Sequence, residues 1–117
     1  MSSSEDLAQF AESARPVVVY KHSPTCGASD RAFTEVQAFS RAHPDAPVFV
    51  VDVLAQRALS FRLAAQFGIG HESPQVIVLN AGVATWNESH FGISAQRIAA
   101  ACAVARLQVN AQVPADG

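Results

Sequence analysis

The chain has 117 residues, enough for one compact hydrophobic core and too few for two. Half of the residues are hydrophobic and 15% are charged, and the apolar ones fall in patterned segments, which excludes a disordered chain. The formal net charge is −2 and Lys and Arg nowhere cluster, so neither nucleic acid nor an anionic membrane is an expected partner.

Ser4-Glu5-Asp6 supplies a capping residue and first-turn acids ahead of Leu7, Phe10, Ala11 and Ala14, which predicts a short helix over about 5–14. Pro16-Val17-Val18-Val19-Tyr20 reads as a central strand, opening on its proline and carrying the unbroken β-branched run of a strand buried on both faces. A polar turn over Lys21 to Thr25 follows. From Cys26 to His43, Ala32, Phe33, Val36 and Phe39 share one helical face, and Pro44 and Pro47 end that helix. Val48 to Val53 is a second buried strand, which completes a strand–helix–strand crossover.

Arg57 to Phe67 is a second helix, with Leu59, Leu63 and Phe67 four apart and Gly68 placed to end it. After a loop over residues 69–74, Gln75 to Asn80 and Val83 to Glu88 form a hairpin across Ala81-Gly82. Ser94 caps a last helix with Ile98, Cys102 and Ala105 on one stripe, and the tail carrying Pro114 and Gly117 is expected to fray. The order is αβαβαββα in one domain with a core over about 16–106. The acidic start lacks the charge of a secretory signal, and no apolar run approaches the roughly 20 residues that cross a bilayer, so a cytoplasmic location is expected.

Cys26 follows a strand and opens a helix, where unpaired backbone N–H groups and the positive end of the helix dipole favour thiolate over thiol. The thiolate is the nucleophile, so a pKa lowered from about 8.5 makes such a cysteine reactive at cellular pH. Cys102, on the apolar stripe, reads as a small buried hydrophobe. No structural disulfide between the two is expected in a reducing compartment. Ser29, three residues after Cys26, stands where a dithiol protein carries its second cysteine. Its hydroxyl can hydrogen-bond a thiolate but cannot form a disulfide, and it can equally satisfy the first helical turn. His22, His71 and His90 lie near the same edge without zinc-ligand spacing, and no metal is expected. Gly92 either admits a close backbone approach by substrate or serves a simple turn.

The strand–Cys26-Gly27-Ala28-Ser29–helix unit, the second crossover and Ser73-Pro74 opening a hairpin resemble the thioredoxin superfamily. Residues Tyr20 to Cys26, His71 to Val76 and Trp86 to His90 together resemble the small monothiol bacilliredoxins, also called the YtxJ-like family, over about residues 16–106. Gly27 and Ala28 depart from it, standing where a proline and a larger apolar residue belong. The resemblance implies an α/β thioredoxin-like fold with a four-stranded mixed sheet flanked by helices. It implies a thiol–disulfide oxidoreductase that removes bacillithiol from oxidised cytosolic proteins, with Cys26 as nucleophile. Bacillithiol is then a co-substrate, no bound cofactor is needed, and free bacillithiol or a partner redoxin is the resolving thiol. It further implies a cis Ser73–Pro74 bond, against the trans default, and Ser73 backbone pairing with substrate. Thr25, beside the nucleophile, and Gly92 join the substrate contacts. Lys21 meets a carboxylate of the small thiol or is a solvated strand end. Cys26-Gly27-Ala28-Ser29 also resembles the C-G-F-S of monothiol glutaredoxins, which implies an alternative, an iron–sulfur cluster shared across a dimer with external thiols. A thioredoxin-like domain that binds partners without turnover is a third reading.

Overall fold

The computed structural model describes Ser2–Ser3, residues 15–25 and residues 27–112, with Ser2–Ser3 and residues 108–112 described by backbone alone. The helix expected over 5–14, the tail from residue 113 and Cys26 lie outside the described residues.

The strands are β1 (Ser2–Ser3), β2 (Val17–His22), β3 (Val48–Asp52), β4 (Gln75–Asn80) and β5 (Val83–Ser89). The helices are α1 (Gly27–Ala42), α2 (Arg57–Phe67) and α3 (Ala95–Gln112), and a 3-10 turn spans His90–Gly92. The strands form one mixed sheet in the order β1-β3-β2-β4-β5. β2 runs parallel to β3 and antiparallel to β4, and β5 returns antiparallel to β4. The four expected strands are all present, and the two-residue β1 extends the sheet beside β3.

The unbroken apolar runs of β2, β3 and β4 exist because both faces of the sheet are covered. On one face Val18, Tyr20, Val76 and Val78 pack with Val36 and Phe39 of α1 and Ile98, Cys102 and Ala105 of α3. On the other, Val17, Val19, Phe49, Val51, Ile77 and Leu79 pack with Leu63 of α2. Each such side chain taken fully out of water contributes about 1.5–3 kcal/mol before entropy is counted. α1 and α3 are also tied directly, since Glu35 Oε1 accepts the Ala95 N–H at 3.0 Å. Ser94 caps α3 as its sequence position suggests, its Oγ accepting the Arg97 N–H at 3.1 Å. Gly68 ends α2 in the left-handed conformation, φ 65°, which glycine adopts without a Cβ penalty.

β2 is longer than its apolar run: Lys21 and His22 are strand residues, paired with Val51 and Asp52 on β3, rather than the start of a turn. Lys21 also faces Gln75 on β4. In the β4–β5 hairpin, Val78 faces Trp86 and Leu79 faces Ala84, so Thr85 is a bulge residue. Its hydroxyl donates to the Val78 carbonyl at 3.3 Å.

The hairpin turn holds Ala81 at φ 53° and Gly82 at φ 81°. Two successive positive φ values are what a tight two-residue hairpin requires, and alanine pays about 1–2 kcal/mol for its share. Asparagine tolerates that conformation better. Ala81→Asn is therefore expected to stabilise the protein by roughly 0.5–1 kcal/mol, read as a raised denaturation midpoint at unchanged m-value.

Candidate functional site

The end of β2 and the first turn of α1 flank position 26, and the described residues on both sides are locked together. Ser29 is fully buried. Its Oγ accepts the Ser23 N–H at 3.0 Å, which folds residues 23–25 back over the helix start. Tyr20 Oη donates to the Ser29 carbonyl at 3.1 Å. A phenol has one proton, so the 2.9 Å contact between Tyr20 Oη and His22 Nδ1 runs from His22 to Tyr20, and His22 carries its proton on Nδ1. Phe33 stacks parallel to the Tyr20 ring at 5.9 Å and lies 5.0 Å from that of His22. No acceptor among the described residues takes the proton of the Ser29 hydroxyl. Pro24, Thr25 and Gly27 are exposed, and a Cβ built on Gly27 meets nothing within 4 Å. The space that a proline at the first helical position takes up is therefore open.

The Ser73–Pro74 peptide is cis. Continuing the β2–β4 register from the Lys21–Gln75 pair sets Pro74 beside His22 and Ser73 beside Ser23. The proline loop thus borders the segment that leads into Cys26. Pro74 O accepts the His90 N–H at 3.1 Å, which fastens the loop to the 3-10 turn. Among the described residues nothing bonds the Ser73 N–H or carbonyl, and its Oγ is buried without a partner.

Gly92 lies in that turn. A Cβ there would overlap the Glu88 side chain, whose carboxylate accepts the Ser89 N–H at 3.0 Å and pairs with Arg97 at 3.0 Å. The space vacated by the glycine is filled by the chain's own Glu88.

Lys21, the sole lysine of the chain, is 0% exposed, which removes the solvated-strand-end reading. Alternation along β2 points it to the α2 face, opposite Tyr20. Its Nζ donates to His71 Nδ1 at 3.3 Å. Ser60 Oγ of α2 lies 3.4 Å from the same nitrogen, and the Phe61 ring 4.2 Å from the imidazole. Burial pulls the Lys21 ammonium down to about 8. His71 is lowered too, by burial first and by the Lys21 charge second. Neither His71 nor Ser60 carries a sequence signal for this contact; only the strand pairing of β2 and β4, which lengthens β2 to include Lys21, makes it legible. Among the described residues no three His, Cys, Asp or Glu side chains gather as metal ligands.

Cys102 is 3% exposed on the α1–α3 side of the core. Burial pushes its thiol up to about 11, against a smaller downward pull from Arg106. At pH 8 the native protein is expected to leave Cys102 unmodified by a disulfide reagent, and to expose it once denaturant is added, read by peptide mass mapping.

Because Lys21 is the only lysine, its ε-resonance in lysine-labelled protein reports its titration alone, expected near pH 8 rather than the ordinary 10.5. Between those values the unfolded chain binds a proton that the folded one lacks, so the Lys21 contribution to stability rises with pH across about 8 to 10.5. The stability difference between Lys21→Met and wild type is expected to shift in favour of wild type over that window, with Cys102 cancelling because both proteins carry it.

A family model for monothiol bacilliredoxins (BrxC) matches residues 1–98. A solved structure described as a candidate oxidoreductase with a thioredoxin fold is 32% identical, with TM-score 0.76, and the match covers 86% of this chain and 89% of that one. Thioredoxin from Fasciola hepatica, at 17% identity and TM-score 0.67, is covered over 93% of its length and 87% of this chain. Thioredoxin f2 from Chlamydomonas reinhardtii, at 16% identity and TM-score 0.63, is covered over 95% of its length and 97% of this chain; these two share the fold. The chain belongs to the monothiol bacilliredoxin family and has the thioredoxin-like fold of thiol oxidoreductases.

Proposed function

We propose that this protein removes bacillithiol from protein mixed disulfides through Cys26. The observation that carries the reading is the bonding of residues 20–23 to Ser29, which sets the segment before Cys26 over the first turn of α1. A sulfur at a helix start is stabilised as thiolate by the unpaired N–H groups and the helix dipole, and the Ser29 hydroxyl is available as a further donor.

The Cys26 thiolate attacks the bacillithiol-side sulfur of the mixed disulfide. A new disulfide forms between Cys26 and bacillithiol, the original S–S bond breaks, and its electron pair leaves on the protein thiolate, which takes a proton from solvent. Ser29 supplies no second sulfur, so an external thiol resolves the product. Free bacillithiol or a partner redoxin attacks the bacillithiol sulfur and returns Cys26 as thiolate. Ser73, with its backbone unbonded among the described residues, offers its N–H and carbonyl to an extended substrate segment, and Thr25 flanks the attacking sulfur.

Offering one carrier protein in bacillithiolated and glutathionylated forms tests the reading. Faster release from the bacillithiolated form is expected, and Cys26→Ser should abolish release from both. Equal rates, or a preference for glutathione, would remove bacillithiol as the substrate. Alkylation of Cys26 against pH should inflect below the free-thiol value of about 8.5.

A further inference from the structure

Among the described residues no carboxylate pairs with Lys21: Glu88 pairs with Arg97, and Glu72 lies 3.9 Å from His90. Burying an ammonium without a counter-charge is costly in desolvation. A methionine would fill the same space without that cost, so packing gives no account of an amine here. Its contact with His71 does.

His71 lies in the stretch between Gly70 and Gln75, which leads into Ser73 and Pro74. The ends of that stretch are closed by Gln75 Nε2, which donates to the Gly70 carbonyl at 3.0 Å. Beyond it, Pro74 is held by His90. Within it, Ser73 Oγ makes no bond among the described residues, and neither does the neighbouring Gln75 Oε1, both buried. Glu72 touches His90 only at 3.9 Å and in solvent, whereas His71 is held from inside the protein by Lys21 from β2 and by Ser60 and Phe61 from α2. An ammonium has no lone pair, so it fixes Nδ1 as the acceptor, and the neutral imidazole carries its proton on Nε2. Ring orientation, tautomer and loop path are set together.

We propose that Lys21, acting through His71, is a positioning residue for thiol exchange that holds the Ser73-Pro74 loop in the orientation that receives an oxidised substrate. The proposal rests on the exchange reading above for its chemistry but not on bacillithiol as the leaving thiol. Lys21 therefore acts from beneath the loop instead of touching the small thiol.

The test compares two reactions of Cys26 in the full chain: attack on an extended peptide carrying a glutathione mixed disulfide, and alkylation by iodoacetamide. Lys21→Met and His71→Leu are each expected to slow peptide exchange on the order of tenfold, the scale set by one charge-assisted hydrogen bond, and to leave alkylation at the wild-type rate. His71→Asn, which keeps an acceptor facing Lys21, should recover most of the exchange rate. The double variant Lys21→Met/His71→Leu should be no slower than either single one, because both remove the same tie. Wild-type exchange in Lys21→Met, equal losses in the two reactions, no recovery in His71→Asn, or additive losses would each overturn the proposal. The two His71 variants carry the test alone if the strand variant does not fold. A wild-type protein that attacks the peptide disulfide but ignores bacillithiolated protein would defeat the substrate reading and leave this comparison standing.

Discussion

The structure depends on the position of β2, which is hydrogen-bonded along both edges and covered on both faces. Every polar group on such a strand must find its partner inside the protein, because water cannot reach it. Val17, Val18 and Val19 make no such demand. Tyr20 and Lys21 do, and they point to opposite faces. Tyr20 is satisfied by the first turn of α1 and by His22, and Lys21 by the loop that precedes Pro74. The two segments that border position 26 are thus each fastened to the same pair of adjacent strand residues. The cost of burying polar groups is converted into fixed geometry on both sides of position 26.

Cys102 shows how surroundings set the character of a cysteine. Cys102 is enclosed by core side chains from the sheet, α1 and α3, and the low polarity there keeps it a thiol. In the proposed reading Cys26 has the opposite character: its neighbours Thr25 and Gly27 are exposed, and the helix that follows begins with N–H groups that lack intrahelical acceptors. With Ser29 in the place of a second cysteine, a reactive Cys102 nearby would compete with the external resolving thiol.

Much of this was legible in the sequence. The β-branched runs gave the buried strands β2 and β3, the four-residue spacing of Leu59, Leu63 and Phe67 gave α2 with its observed bounds, and Ala81-Gly82 gave the β4–β5 hairpin. Ser94 as a cap and Cys102 as a core residue followed from position and periodicity, while the cis bond before Pro74 was implied by resemblance alone. What the sequence hid was pairing between distant segments. The apolar signal of β2 stops at Tyr20, yet the strand continues because β3 and β4 extend beside it through Asp52 and Gln75. The Lys21–His71 contact joins residues fifty apart, and no local pattern encodes it. Gly92 read either as room for a substrate backbone or as a turn residue, and only the structure shows the Glu88 side chain, paired with Arg97, where its Cβ would lie. β1 is two residues of serine, too short for any alternation to register.

The borders of the sheet have a consequence for how this protein coexists with damaged polypeptides. An open strand edge is a template on which unfolded chains add by backbone pairing, the first step toward aggregation. Here one border is the two-residue β1 and the other is β5, interrupted at Thr85, where the bulge hydroxyl takes up the Val78 carbonyl. Bulges and very short edge strands both blunt such templates. A protein proposed to act on oxidised polypeptides can therefore meet them at its strand ends without being drawn into their deposits.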